Sequence, residues 1–120
     1  MPKKVVLVVD DDASIRGLVR AVLRNEHFEV EEAQTGHEAI ARISEKHYDA
    51  MVLDIMMGGG SGHDVLEVLG RQRPDVKCVV VISASSAAKI EDVKAANVEA
   101  KLRKPFDIDE LLQAVRKCVG

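Results

Sequence analysis

The sequence predicts an α/β protein built as a doubly wound parallel sheet, and three observations support this. Three short apolar runs, rich in β-branched residues and followed at once by polar residues, lie at residues 5–9, 50–53 and 78–82. Continuous apolar runs of this length are typical of strands that are buried on both faces of a parallel sheet. Segments with apolar residues at helical spacing separate the runs, and parallel strands need such crossover helices. The length of 120 residues suits a single domain, residues 1–120.

Two further strands are predicted at residues 29–33 and 100–103, and both segments carry charged residues. Charge within a strand is typical of a position at the edge of a sheet. The three apolar runs should therefore form the centre. A flavodoxin-like (βα)5 sheet with the strand order 2-1-3-4-5 satisfies this condition, because it places strands two and five outermost.

Five apolar stripes at helical spacing predict five helices, one after each strand. The stripes are Ile15, Leu18, Val19, Val22 and Leu23; then Ala39, Ile40 and Ile43; then Val65, Leu66 and Leu69; then Ile90 and Val93; and finally Ile108, Leu111, Leu112 and Val115. Residues that can cap a helix N-terminus precede four of the stripes, and Asn97 is a candidate terminator of the fourth helix. The candidate caps are Asp12, Thr35 with Glu38 at the capping-box position, Ser61, and Asp107 with Glu110.

The composition argues against several classes of function. The net charge is −3, whereas a nucleic-acid-binding surface needs a concentrated basic patch. No apolar run is long enough to span a membrane, and the first residues do not form a signal peptide. We therefore expect a cytoplasmic protein without nucleic-acid or membrane partners. The two cysteines, Cys78 and Cys118, are expected to be free thiols in that reducing compartment.

Polar residues follow the strands at the positions where the carboxyl ends of a parallel sheet would meet. In open α/β sheets the ligand crevice lies beyond this edge, so we expect these side chains to share one rim. They are Asp10, Asp11 and Asp12 after strand one, Asp54 after strand three, Ser83 after strand four and Lys104 after strand five.

Carboxylates clustered in this way repel one another unless a cation lies among them. Oxygen ligands from two strand ends suit Mg²⁺, which takes one or two carboxylates, keeps waters and leaves room for a phosphate oxygen. With the metal bound, Asp54 is a candidate nucleophile toward phosphorus, because carboxylates can form aspartyl phosphates. Lys104 and the metal could neutralise the incoming charge, and Ser83 could donate a hydrogen bond to it.

At these residues the chain resembles the receiver domain of the bacterial two-component response regulators. The resemblance covers the whole chain, and its four motifs stand in the family's order and spacing. One motif alone would be a weak signal, but the four together are specific. They are residues 8–12 (VVDDD), residues 53–57 (LDIMM) with Gly62 eight positions after Asp54, residues 82–84 (ISA) and residues 104–106 (KPF).

The resemblance implies roles for the acidic residues and the loop that follows strand three. Asp54 matches the phospho-acceptor, and Asp10 and Asp11 match the acidic pair that binds Mg²⁺. The backbone carbonyl of Met56 matches a further metal ligand. Asp12 falls one position after the acidic pair and is better explained as a helix cap.

The resemblance also implies a signalling mechanism rather than an enzyme activity. Ser83 matches the hydroxyl that moves on phosphorylation, and Lys104 matches the lysine that contacts the phosphoryl group. Receiver domains take this group from a histidine kinase, in phosphorelays from a phosphotransfer protein, and often from small phosphodonors. A downstream effector is expected to bind the face formed by the fourth helix, the fifth strand and the fifth helix, with Ile90, Lys101 and Arg103 as candidate contacts.

The chain departs from the family pattern at two positions. The family usually has proline four residues after the acceptor, where this chain has Gly58. Glycine leaves the backbone freer there, so the placement of the Met56 carbonyl is less constrained. The family also usually has an aromatic residue three positions before the site lysine, where this chain has Lys101. Burying a lysine there is costly, so output must use the Ser83 loop, the fourth helix or another surface.

Three alternatives remain beside this interpretation. A receiver-like interaction module that does not switch would be compatible with Lys101 and the glycine-rich loop. A metal-dependent phosphatase with an aspartyl nucleophile usually has a second Asp two residues later, and that position is Met56 here. A flavin carrier would need a phosphate-binding first loop, but the triply acidic loop would repel phosphate.

Overall fold

The computed structural model describes residues 3–55, 62–72, 76, 78–83 and 98–119. The strands are β1 (Val5–Val9), β2 (Glu29–Ala33), β3 (Ala50–Asp54), β4 (Val79–Ser83) and β5 (Val98–Arg103). The helices are α1 (Ala13–Asn25), α2 (Gly36–Glu45), α3 (Gly62–Gln72) and α4 (Ile108–Val119). The last of these is the fifth helix of the sequence prediction. The predicted fourth helix, with Ile90, Val93 and Asn97, and the predicted cap Ser61 lie outside the described residues.

The five strands form one parallel sheet in the order β2-β1-β3-β4-β5. This confirms the predicted order and places both charged strands at the edges. The fifth strand begins at Val98, earlier than predicted, because Glu99 interrupts the apolar pattern that would have revealed it. The pairing of β4 with β5 shifts register between Val79 and Val80.

Both faces of the sheet are buried, as the continuous apolar runs predict. Side chains of β1 alternate between two core clusters, with Leu7 and Val9 in one and Val6 and Val8 in the other. Helices α2 and α3 cover the first cluster, and α1 and α4 cover the second. The buried helix residues are Ala39, Ile43, Val65, Leu66 and Leu69 on the first face and Val19, Leu23, Leu111 and Val115 on the second.

Glu31 of the edge strand β2 is paired with basic side chains beside it. Glu31 forms ion pairs with Arg42 and Lys46, and the Tyr48 hydroxyl donates a hydrogen bond of 2.8 Å to it. The hydrogen bond from Lys46, together with Tyr48 and Arg42, lowers the pKa of Glu31 although burial opposes this. These contacts link β2 to Arg42 of α2 and to the segment that follows this helix.

The structure confirms three predicted caps. The side chain of Asp12 accepts hydrogen bonds from the backbone N–H groups of Ser14 and Ile15, and it is the N-cap of α1. Thr35 Oγ1 accepts from the Glu38 N–H over 3.0 Å at the start of α2. Asp107 Oδ1 accepts from the Asp109 N–H over 2.9 Å at the start of α4. Each cap satisfies a backbone donor that the helix itself leaves unpaired.

The prediction of free thiols is wrong for Cys78, which is disulfide-bonded in this structure. Cys78 is buried in the core cluster that α4 covers, and α4 also carries the chain's other cysteine, Cys118. The sequence pattern could not indicate this, because a disulfide depends on which parts of the chain the fold brings together. Separately, none of the helices in the described ranges has both the length and the apolar character of a membrane span.

Candidate acidic site at the carboxyl end of the sheet

The parallel sheet brings the predicted site residues to one edge. Asp10 follows β1, Asp54 ends β3, Ser83 ends β4 and Lys104 follows β5. Strand pairing aligns these ends, since Asp54 is the partner of Ile82 and Ser83 is the partner of Arg103. Three polar residues at this edge are buried, namely Asp10, Asp54 and Ser83. Polar groups in a protein interior usually have a partner or a function.

Three carboxylates converge at this edge. Asp10, Asp11 and Asp54 each present one oxygen, and these oxygens lie within 4.8 Å of one another. Asp10 and Asp54 are buried, and Asp11 is exposed. The cluster therefore opens to solvent on the side of Asp11. Asp12, the remaining acidic residue of this turn, caps α1 instead, as the sequence analysis favoured.

Lys104 supplies positive charge to the two buried carboxylates. Its Nζ lies 2.9 Å from Asp10 Oδ2 and 3.2 Å from Asp54 Oδ2. The contact with Asp54 is also a hydrogen bond, whereas the contact with Asp10 Oδ2 is an ion pair, and this atom accepts no hydrogen bond of good geometry from the described residues. Burial by itself would lower the pKa of Lys104, but the two carboxylates outweigh it and raise the pKa above its ordinary value. Lys104 is therefore charged at neutral pH.

The backbone around Lys104 is tied to the neighbouring strand. The Lys104 N–H donates a hydrogen bond of 2.8 Å to the carbonyl oxygen of Ser83. This bond holds the start of the loop against the end of β4, where Ser83 is buried.

Asp10 is held by its backbone as well as by its side chain. Its N–H donates to the Ala33 carbonyl oxygen over 3.2 Å, and its Oδ1 accepts from the Asp12 N–H over 2.9 Å. Arg16 of α1 donates a hydrogen bond of 2.8 Å to the Asp10 carbonyl oxygen. Arg16 also pairs with Glu32 of β2.

Arg16 and Glu32 were not predicted to be part of this region. The charge within β2 was the available signal, but it indicated only that this strand lies at an edge of the sheet. Glu32 is partly buried, and the loss of water around its carboxylate would by itself raise its pKa. The ion pairs with Arg20 and Arg16 outweigh this and lower the pKa. Glu32 is therefore ionised at neutral pH, and its negative charge balances the positive charge of Arg16 beside the acidic turn.

Gly62 fixes the distance between the start of α3 and the end of β3. Its N–H donates to the Ile55 carbonyl oxygen over 3.0 Å. A Cβ at this position would lie 2.6 Å from Ile55 Cα and 2.8 Å from the Asp54 carbonyl oxygen, both of them backbone atoms. No side chain fits there without moving the backbone that carries Asp54. Met56 and Gly58, on the intervening loop, lie outside the described residues.

The chemistry of the donor set fits a hard divalent cation. All three groups are carboxylates, and oxygen ligands of this kind are those that Mg²⁺ prefers. The cluster holds three carboxylates, and Lys104 is the cation that contacts them in the described part of the chain. Negative charge is therefore in excess, and a divalent cation would correct the imbalance.

The arrangement defines a class of protein: a domain whose sheet presents a carboxylate, a cation site, a hydroxyl and a lysine at one edge, as phospho-accepting signalling domains do. A family model described as "Response regulator receiver domain" matches residues 6–116. The chain belongs to the response regulator receiver family, whose members accept a phosphoryl group in two-component signal transduction.

Relatives of known sequence agree with this assignment. The chain is 32% identical over 111 residues to the transcriptional regulatory protein ResD of Bacillus subtilis, covering 92% of this chain and 46% of that protein. It is 35% identical over 111 residues to the response regulator MprA of Mycolicibacterium vanbaalenii, covering 92% of this chain and 48% of that protein. The chain thus spans less than half the length of these relatives.

Solved structures are similar over nearly the whole chain. The response regulator protein TrrA of Thermotoga maritima, in complex with Mg(2+)-BeF, is 32% identical with a TM-score of 0.86, covering 96% of this chain and 98% of that one. The receiver domain of the Francisella response regulator 1452 is 29% identical with a TM-score of 0.86, covering 98% of this chain and 97% of that one. The flavodoxin-like fold predicted from the sequence is confirmed.

Proposed function

We propose that Asp54 is the residue that accepts the phosphoryl group. The observation that supports this proposal is the position of Asp54 at the end of β3. Its carboxylate belongs to the acidic cluster, and Lys104 Nζ lies 3.2 Å from its Oδ2. An Asp54 oxygen would attack phosphorus and form a P–O bond. The P–N bond of a phosphohistidine donor would break, its electron pair would return to the imidazole, and the imidazole would take up a proton.

The residues proposed to hold Mg²⁺ are Asp10, Asp11 and Asp54, with the carbonyl of Met56 as a further ligand by resemblance to the family. The convergence of three carboxylate oxygens within 4.8 Å supports this set. When bound, the ion would neutralise negative charge on the phosphoryl oxygens during transfer. The buried Asp10 Oδ2, which contacts Lys104 but accepts no hydrogen bond of good geometry within the described ranges, is suited to such a ligand role.

Lys104 and Ser83 are proposed to act on the transferred group. Lys104 carries a positive charge between Asp10 and Asp54, and it can pass from the Asp54 carboxylate to a phosphoryl oxygen without changing its protonation. Ser83 can donate a hydrogen bond to the same group. Because the Lys104 N–H is bonded to the Ser83 carbonyl, a movement of either residue is transmitted to the other.

The proposed donor is a histidine kinase or a phosphotransfer protein, and the proposed output is altered binding of an effector. The contact face would include β5, where Lys101 and Arg103 are exposed. With Lys101 exposed, switching would proceed without an inward-turning aromatic residue. A module that binds partners without switching would share this feature, and a comparison of effector binding with and without phosphodonor separates these two functions. We propose a switch rather than an enzyme, in the cytoplasm.

The acceptor assignment is tested by intact mass after incubation with Mg²⁺ and acetyl phosphate. Wild-type protein is expected to gain one phosphoryl group, and Asp54→Asn is expected to gain none. Asp12→Asn is the matched control, because it changes a carboxylate of the same rim to an amide that can still cap α1. Labelling that persists in Asp54→Asn would refute the assignment.

A further inference from the structure

Arg16, in the first turn of α1, connects the acidic turn to the edge strand β2. Its Nη1 donates a hydrogen bond of 2.8 Å to the carbonyl oxygen of Asp10, and its Nε donates a hydrogen bond of 3.2 Å to Glu32 Oε1. The Arg16 side chain is only 16% exposed, so these contacts are better shielded than an ordinary surface pair. A planar guanidinium suits this double contact because its donors have a fixed geometry.

The carbonyl that Arg16 holds belongs to the peptide unit leading into Asp11. This unit is planar, so fixing its oxygen also fixes the direction in which the chain enters Asp11. Asp11 is the exposed member of the carboxylate cluster, and burial constrains it less than it constrains Asp10. The position of the Asp11 carboxylate thus depends on the backbone of this turn.

We propose that Arg16 is a positioning residue for the divalent cation, which it need not touch. By tying the Asp10 carbonyl to Glu32, Arg16 holds the carboxylates of Asp10 and Asp11 in a convergent arrangement before the ion binds. The proposal rests on the Mg²⁺ site proposed above. Residues that orient metal ligands in this way typically contribute about 10- to 100-fold to metal affinity.

Charge and position predict opposite results when Arg16 is replaced. A positive charge beside the cluster repels a divalent cation, so its removal alone would strengthen Mg²⁺ binding. Loss of the Asp10 carbonyl contact would instead weaken binding. Arg20 provides the matched control, since it pairs with the same Glu32 over 2.8 Å from the following turn of α1, and the contacts of the described residues give it no bond to Asp10.

The experiment is a calorimetric titration of the full chain with MgCl₂. We expect Arg16→Gln and Arg16→Lys to weaken Mg²⁺ binding by about tenfold or more, and Arg20→Gln to bind within about twofold of wild type or slightly tighter. At saturating Mg²⁺, the rate of labelling by acetyl phosphate in Arg16→Gln should return toward the wild-type rate. A general loss of structure would not show this rescue, and urea unfolding midpoints check the fold of each variant.

Several outcomes would overturn the proposal. Arg16→Gln binding Mg²⁺ as tightly as Arg20→Gln would show that the contact with Asp10 does not matter. If Arg16→Lys bound Mg²⁺ with wild-type affinity, the positive charge would be sufficient, and the two hydrogen bonds of Arg16 to the Asp10 carbonyl and Glu32 would not be needed. If Arg16→Gln does not fold, Glu32→Gln removes the anchor and must weaken binding by severalfold for the proposal to stand. A wild-type chain that binds no Mg²⁺ would overturn the metal site and this role together.

Discussion

Replacement of Lys104 by methionine tests how the buried carboxylates are stabilised in the absence of metal. Asp10 is fully buried and Asp54 is 3% exposed, and Lys104 Nζ lies 2.9 Å and 3.2 Å from their Oδ2 atoms. Methionine keeps the length and much of the volume of the side chain but removes the charge. Two carboxylates would then be buried together without the cation that the described residues provide.

The expected cost is large relative to the stability of a domain of this size. Removing one partner of a buried ion pair typically costs about 3 to 5 kcal/mol, and domains are usually stable by only about 5 to 15 kcal/mol. We expect Lys104→Met to lose about 3 kcal/mol of unfolding free energy when no divalent cation is present. Mg²⁺ should restore part of this, because it replaces the missing positive charge.

The unfolding free energy is measured by urea unfolding followed by far-ultraviolet circular dichroism. This method is chosen because the chain has no Trp and one Tyr. Without Lys104 competing for the carboxylates, Mg²⁺ should bind Lys104→Met more tightly than wild type. A tenfold tighter affinity would add about 1.4 kcal/mol of stabilisation at saturating Mg²⁺.

Lys101→Met is the matched control, because Lys101 is an exposed lysine of β5 and should change stability by less than about 0.5 kcal/mol. If Lys104→Met were no less stable than Lys101→Met, the ammonium group would not be what holds the carboxylates in place.

Three further predictions concern the scaffold of the site. Gly62→Ala places a Cβ 2.6 Å from Ile55 Cα and should destabilise the protein by about 1 to 3 kcal/mol in urea unfolding. The control Gly70→Ala, in the same helix with nothing within 4 Å of the added Cβ, should stabilise it by up to about 1 kcal/mol. Equal effects of the two substitutions would contradict the close approach at Gly62. Burial and the hydrogen bond to Glu31 raise the pKa of Tyr48 to about 12. The titration midpoint of the absorbance at 295 nm should therefore lie about 2 pH units higher in the folded chain than in urea. The neutral phenol should stabilise the fold fully below pH 10, and this stabilisation should be lost toward pH 12. Coincident titration curves for the folded and unfolded chains would contradict the raised pKa. Asp12→Ala should lower the unfolding free energy by about 1 kcal/mol, and Asp12→Asn should leave it almost unchanged. Equal stability of the two variants would mean that the Asp12 side chain does not cap α1.

The central strands and helix caps were predictable because their causes are local. A run such as residues 5–9 must be buried on both faces, since every position is apolar, and the strand β1 indeed alternates between the two cores. Asp12 and Thr35 cap helices because a short polar side chain before a helix satisfies its free N–H groups. These requirements act over a few residues, so a single sequence displays them.

The convergence of the acidic residues was predictable for a different reason. Asp10 follows β1 and Asp54 ends β3, the two strands pair side by side, and parallel strands end at the same edge. What the sequence could not indicate were contacts that depend on long side chains crossing between elements. The contact of Arg16 with the Asp10 carbonyl and Glu32 depends on rotamers, and the disulfide of Cys78 depends on the tertiary packing around that residue.

The two cations near the cluster are held in different ways, and this leads to a last prediction. The Arg16 guanidinium is fixed between the Asp10 carbonyl and Glu32, whereas Lys104 projects a flexible stem from the loop after β5 toward both carboxylates. A phosphoryl group on Asp54 would draw Lys104 toward itself but leave the Arg16 contacts intact. Hydrogen exchange on addition of Mg²⁺ and phosphodonor, compared with Mg²⁺ alone, should therefore change at the Lys104 N–H that is bonded to Ser83 and remain constant in α1. Equal changes in both places would mean that the acidic turn moves as a unit with the lysine loop, and the division into a fixed and a movable half would be wrong.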